Sequence, residues 1–134
     1  MNIIKLAVGI NSVEDLKDRQ ELKRQKYGNN THITRLFPKK YLEVKNNGSM
    51  YWVINGFISV RQKIRDIKKV EHDNGIQYCH IILDKKLIET QVIRYRPFQG
   101  WRYLNMEKAP KDLSLDEKRL DGELIKTLKE LCII

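Results

Sequence analysis

From Met50 to Val60 the chain reads Met-Tyr-Trp-Val-Ile-Asn-Gly-Phe-Ile-Ser-Val, a run rich in aromatic and β-branched residues. Such side chains lose rotamer freedom in a helix and pack well on a pleated surface, so the run is predicted to be a strand. Gly56 within it marks a bulge or a close approach of backbone, and the strand is expected to continue toward Ile64. Alternation assigns Tyr51, Val53 and Asn55 to one face and Trp52 and Ile54 to the other. Burial is the expected fate of Trp52, because strand aromatics dominate cores.

The flanking pattern supplies partners for that strand. Ile3 to Val8 is predicted as a strand ended by Gly9, and Ser12 as the N-cap of a helix running to about Lys26, with Glu14 and Asp15 in its first turn. That helix has few apolar positions (Val13, Leu16, Leu22), so it should lie on the surface with a narrow buried stripe. His32 to Phe37 is extended because Pro38 follows, and Pro38 to Lys45 is a short helix closed by Asn46-Asn47-Gly48, with Gly or Asn in the left-handed conformation. Lys68 to Gly75 reads as a polar turn. Ile76 to Leu83 and Leu87 to Tyr95 read as a hairpin around Asp84-Lys85-Lys86, and Gly100 to Leu104 as one more strand. Ser114-Leu115-Asp116-Glu117 fits a capping box, followed by the stripe Leu120, Leu124, Leu128, Leu131 of a C-terminal helix. The expectation is α+β: a single domain spanning residues 1–134, with five or six mostly antiparallel strands and a helix at each end.

Charge is unevenly placed. Residues 31–69 hold nine Lys or Arg against two acids, and residues 90–104 add three Arg with no acid, so these stretches together carry +10, and the rest of the chain sums to −1 within the net +9. A clustered positive face attracts polyanions. Arg35, Lys39, Lys40, Arg61 and Arg102 are candidates for phosphate contact, Tyr51 and Trp101 for base stacking, and Gln62 and Gln99 for reading a base edge. Solubility explains isolated lysines well but explains two such segments poorly.

Other chemistry has less support. The three His and two Cys show no metal-ligand spacing, and Cys79 and His80, adjacent on a strand, should face opposite sides of the sheet; neither a metal nor a cofactor is expected. There is no nucleophile elbow and no phosphate-binding glycine loop. His32, beside Thr31 and Thr34, is the one acid–base candidate, and a hydrogen-bonded structural role is the plainer reading. No run approaches the ~18 apolar residues of a membrane span. The first residues lack a basic region and a cleavage site, so a cytoplasmic location with Cys79 and Cys132 reduced and buried is expected.

Several segments, Ser12 to Leu16, Thr31 to Arg35, Pro38 to Lys40, Gly48 to Ile54 and Pro97 to Leu104, resemble in order the marker segments of a short alphaproteobacterial family known only as a domain of unknown function. Asn55 stands where that family usually has Lys. The resemblance implies a compact bacterial protein and no activity. A looser similarity, carried by the succession of helix, Asn-Gly turn, strand and Arg from Pro38 to Arg61, is to PUA-like pseudo-barrels such as the ASCH and EVE domains. It implies a barrel with a cleft for RNA or modified bases. The reading is therefore an RNA-binding module. Its rivals are a small enzyme acting on a nucleotide or phosphorylated substrate through His32 and Arg35, and a protein-interaction module presenting Trp101.

Overall fold

Asn55 and Gly56 take positive φ values of 51° and 84°. Two such residues in succession make the hairpin turn whose twist matches the strands it joins. The strand expected from Met50 to Val60 is thus two strands folded back on each other at Asn55-Gly56.

The computed structural model describes residues 1–113. The expected C-terminal helix after Ser114 and Cys132 lie outside the described residues. Within them the order is β1 (Asn2–Leu6), α1 (Val13–Tyr27), β2 (Asn30–Thr34), α2 (Tyr41–Asn47), β3 (Ser49–Ile54), β4 (Phe57–Glu71), β5 (Gln77–Arg94) and β6 (Trp101–Leu104). One six-stranded sheet runs β2-β5-β4-β3-β1-β6. Only β1 and β3 pair in parallel; the other neighbours are antiparallel. This is an α+β fold on a mixed sheet.

Three further expectations are corrected. Residues 77–94 form one long strand rather than a hairpin, because the polar Asp84-Lys85-Lys86 loops out as a bulge. Gln62 pairs with Leu87 and Ile64 with Leu83, so three residues oppose Lys63 alone. The polar stretch from Lys68 is still strand as far as Glu71, and the turn is shorter than expected. The second helix begins after Pro38, at Tyr41, and Gly48 ends it with φ −85° rather than in the left-handed region. Glycine is needed at position 48 for a different reason: an added Cβ would collide with the carbonyl oxygens of Val44 and Met1.

The barrel is also corrected. Among the described residues, β2 and β6 are the two edges of the sheet and no ladder joins them, so the sheet is open. It is nonetheless strongly curled. Register shifts interrupt β3–β4 and β4–β5 at four places, and bulges bend and twist the strands that carry them. The rings of His32 on β2 and Trp52 on β3 sit 5.8 Å apart, although two strands lie between theirs. On a flat sheet that separation is about 14 Å.

The concave side of the curl holds the larger core, including Ile3, Trp52, Ile64, Ile81 and Leu83, roofed by Leu16 of α1 and Val44 of α2. The convex side carries a smaller cluster of Ile4, Tyr51, Val53, Ile58 and Leu104, covered by Phe98 with Tyr95 and Ala109. Cys79 packs in the concave core, while His80 bonds His72, with the two Nε2 atoms 2.7 Å apart. The two neighbours therefore face opposite sides, as alternation requires.

Candidate functional site

The site begins with α1. Ser12 Oγ accepts from the Asp15 amide at 3.0 Å and the Asp15 carboxylate accepts from the Asn11 amide at 3.1 Å, which fixes where the helix starts. Gly28, at φ 86°, ends it. With that register, Leu16 and Gln20 are buried against the sheet, and Arg19 and Lys23, also four apart, share an adjacent helix face.

Gln20 reaches a second amide, Gln62 of β4. Each donates to the other at 2.8 Å. Gln62 also accepts from the Trp52 indole at 3.2 Å and donates to the Asp84 carbonyl at 2.6 Å. All the hydrogen-bonding capacity of this fully buried side chain is used, at 0 % exposure. The network holds Trp52 in place and closes the floor.

Above that floor is a cavity of about 170 Å³. Its apolar wall includes Trp52, Leu83, Leu16, Ile10 and Ala7; Lys5, Arg19 and Lys23 supply its cations. His32 enters from β2. Its Nε2 is buried and, among the described residues, has no hydrogen-bond partner. Burial, reinforced by the positive charges of Lys5 and Lys23, pushes its pKa down to about 4, so the ring is neutral near pH 7. Burial also lowers the pKa of Lys5. A neutral imidazole with a free ring nitrogen can accept or donate one hydrogen bond, according to tautomer. The arrangement offers an uncharged ring a dry wall and one polar contact, and offers an anion three cations.

A second feature adjoins the cavity. Lys5 stands opposite Trp101 across β1 and β6, and Ile3 opposite Tyr103, so both aromatics lie on the concave side. Their rings meet edge-on at 5.1 Å. The Trp101 indole donates to the Leu36 carbonyl at 3.2 Å and the Lys40 amide donates to the Tyr103 hydroxyl at 3.1 Å, with the Lys40 ammonium 5.6 Å from the Tyr103 ring centroid. Side chains thus tie the β6 edge to the segment after β2 where no backbone ladder does. The result is a line of Lys40, Tyr103, Trp101 and Lys5 leading to the cavity.

The residues picked from sequence do not form one surface. Lys40 and Trp101 belong to this line. Lys39 is exposed beside Lys40, and Gln99 is exposed on the loop before β6. Tyr51 is buried in the convex cluster at 6 % exposure. Arg61 is clamped to the Asp112 carboxylate by two bonds of 2.7 Å and donates to Ser49 Oγ. Arg102 lies over Phe98, on the convex side. Arg35 lies over the Tyr78 ring, on the opposite face from His32, so the pairing of His32 with Arg35 in one site does not occur. Gln62 is sealed in the interior.

Lys5, Arg19 and Lys23 do not stand out by charge, because residues 1–30 carry little net charge. The recoverable signal was the four-residue spacing of Arg19 and Lys23 beside that of Leu16 and Gln20. Among the described residues no three His, Cys, Asp or Glu side chains gather as a metal site, and no helix is long and apolar enough to cross a membrane.

Nothing among the curated proteins and nothing among the solved structures matches the chain. A family model described as "Protein of unknown function (DUF1489)" matches residues 3–134, and the chain belongs to that family.

Proposed function

We propose that this protein binds single-stranded RNA along its concave side, in the cytoplasm. The strand lies on the line Lys40, Tyr103, Trp101 and Lys5 and reaches the cavity mouth at Arg19 and Lys23. The observation that carries the reading is the junction of a stacking surface with a cationic cavity in which His32 Nε2 is buried without a partner among the described residues. Half-buried Trp101 offers a face on which unpaired bases stack whatever their sequence. The ammonium and guanidinium groups supply phosphate contacts. Lys39 and Gln99, exposed near the ends of that line, belong to the same footprint. Arg35, Arg61, Arg102, Tyr51 and Gln62 do not, because the first three serve the other face and the last two are buried.

The test is titration with single-stranded RNA at low and at moderate salt. Binding should weaken steeply with salt, and Lys5→Gln and Lys23→Gln should each lower the salt slope by roughly 1. Arg102→Gln should leave affinity unchanged. Absence of binding at low salt, or equal losses from Lys23→Gln and Arg102→Gln, refutes the reading.

A further inference from the structure

The cavity itself is more specific than a general RNA surface requires. We propose that it receives one uncharged, single-ring heterocycle attached to a phosphate, which is to say one unstacked pyrimidine nucleotide. The source of that nucleotide, a bound strand, rests on the RNA reading above.

Three observations converge on this class. The first is size. An apolar cavity of about 150 Å³ accepts a benzene ring, and this one measures about 170 Å³, which a six-membered ring fills closely. The second is the wall. Trp52, Leu83, Leu16, Ile10 and Ala7 offer flat and aliphatic surface, which favours a ring over a hydrated sugar or a bare ion. The third is the placement of charge. Burial, reinforced by Lys5 and Lys23, already keeps His32 neutral; the same cations repel a cationic ring, while burial penalises an anionic one. An uncharged ring goes inside and its phosphate stays with the cations.

The hydrogen bonding is equally restricted. Gln20 and Gln62 spend their amides on each other, on the Trp52 indole and on the Asp84 carbonyl. They are not free to read a base. Among the described residues, His32 Nε2 is the buried side-chain atom left over, and a pyrimidine edge, which carries both donors and acceptors, satisfies it in either tautomer.

The experiment uses the full chain and a short oligoadenylate strand bearing uracil, adenine or an abasic spacer at one central position. Affinity is measured at low salt, alongside tryptophan emission. The uracil strand should bind about tenfold more tightly than either of the others, the scale of burying and stacking one base. Equal affinity for all three strands overturns the pocket and leaves RNA binding standing. Uracil equal to adenine, with both above the abasic strand, overturns the single-ring assignment. If no strand binds, the RNA reading falls and uridine monophosphate decides the pocket: saturable shifts of the His32 imidazole signals by NMR uphold it, and their absence overturns it. The comparison of strands needs no variant. His32→Phe, which keeps an aromatic ring but removes the unpartnered nitrogen, should abolish the preference for uracil while preserving binding to oligoadenylate, with circular dichroism checking that it folds.

Discussion

Acidification should weaken this fold through His32, and the effect can be isolated. In an unfolded chain the imidazole takes up its proton around pH 6.5, whereas in the folded chain burial and the flanking lysines delay this to about pH 4. Between those values the unfolded state binds more protons, so stability rises with pH across the window. In the other direction, stability present above about pH 6.5 is lost as pH falls toward 4, and the loss levels off below that. A displacement from 6.5 to about 4 corresponds to about 3 kcal/mol, an upper figure because local rearrangement admits water before the full penalty is met. Another group acts in the same range. His80, whose pKa is lowered by burial and then by His72, adds to the loss, whereas Asp66, whose carboxyl is held low chiefly by its hydrogen bond from Lys45, loses its stabilising charge only below this window. The way to separate them is His32→Gln, which keeps a polar side chain that does not titrate. Urea unfolding of both proteins at pH 7, 5.5 and 4 gives the difference in stability at each pH. That difference should move in favour of His32→Gln by up to about 3 kcal/mol on acidification. A difference that stays constant with pH would show that His32 is solvated or already charged, and the neutral-ring account of the cavity would go with it.

Three other perturbations follow from the same contacts. Gln62→Leu keeps the volume but orphans the Gln20 amide, the Trp52 indole and the Asp84 carbonyl, and should cost about 3 kcal/mol or more in urea unfolding. Gly48→Ala should destabilise by about 1–3 kcal/mol although its φ suits alanine, because the new methyl meets the Val44 and Met1 carbonyls; a neutral result would mean that the end of α2 yields easily. Arg61→Ala removes the two-bond clamp on Asp112 and should raise amide hydrogen exchange at Gln91 and Leu113, whose amides bond the Lys111 and Glu89 carbonyls, while global stability falls by no more than about 1 kcal/mol.

Local features were legible in the sequence wherever local physics decides. The cap at Ser12, the burial of Trp52 and the opposed faces of Tyr51 and Trp52 all follow from steps of one to four residues. The errors have one cause. Asp84-Lys85-Lys86 looks like a turn because its polarity is a turn's, but β5 pairs with β4 on both sides of it, and a bulge costs less than abandoning those pairs. Asn55-Gly56 shows the converse. It carries a strong hairpin signal, overridden in the reading by the continuity of apolar residues around it.

The candidate site was hidden for a deeper reason. Its cations come from β1 and α1, its imidazole from β2 and its floor from β3 and β5, and no spacing along the chain relates them. Charge counting favoured segments that are basic throughout, yet Arg61 and Arg35, in the richest of them, are turned outward and spent on Asp112 and the Tyr78 ring. What brings Lys5, Lys23 and His32 together is curvature, and curvature is written in the bulges of β4 and β5. A flat sheet of the same strands in the same order would hold His32 too far from Trp52 for their rings to meet. The bulge at Asp84-Lys85-Lys86 therefore has two roles. It lets β5 continue, and it delivers the carbonyl that anchors Gln62 beneath the cavity. The polar tripeptide that misled the strand assignment is part of the machinery that builds the site.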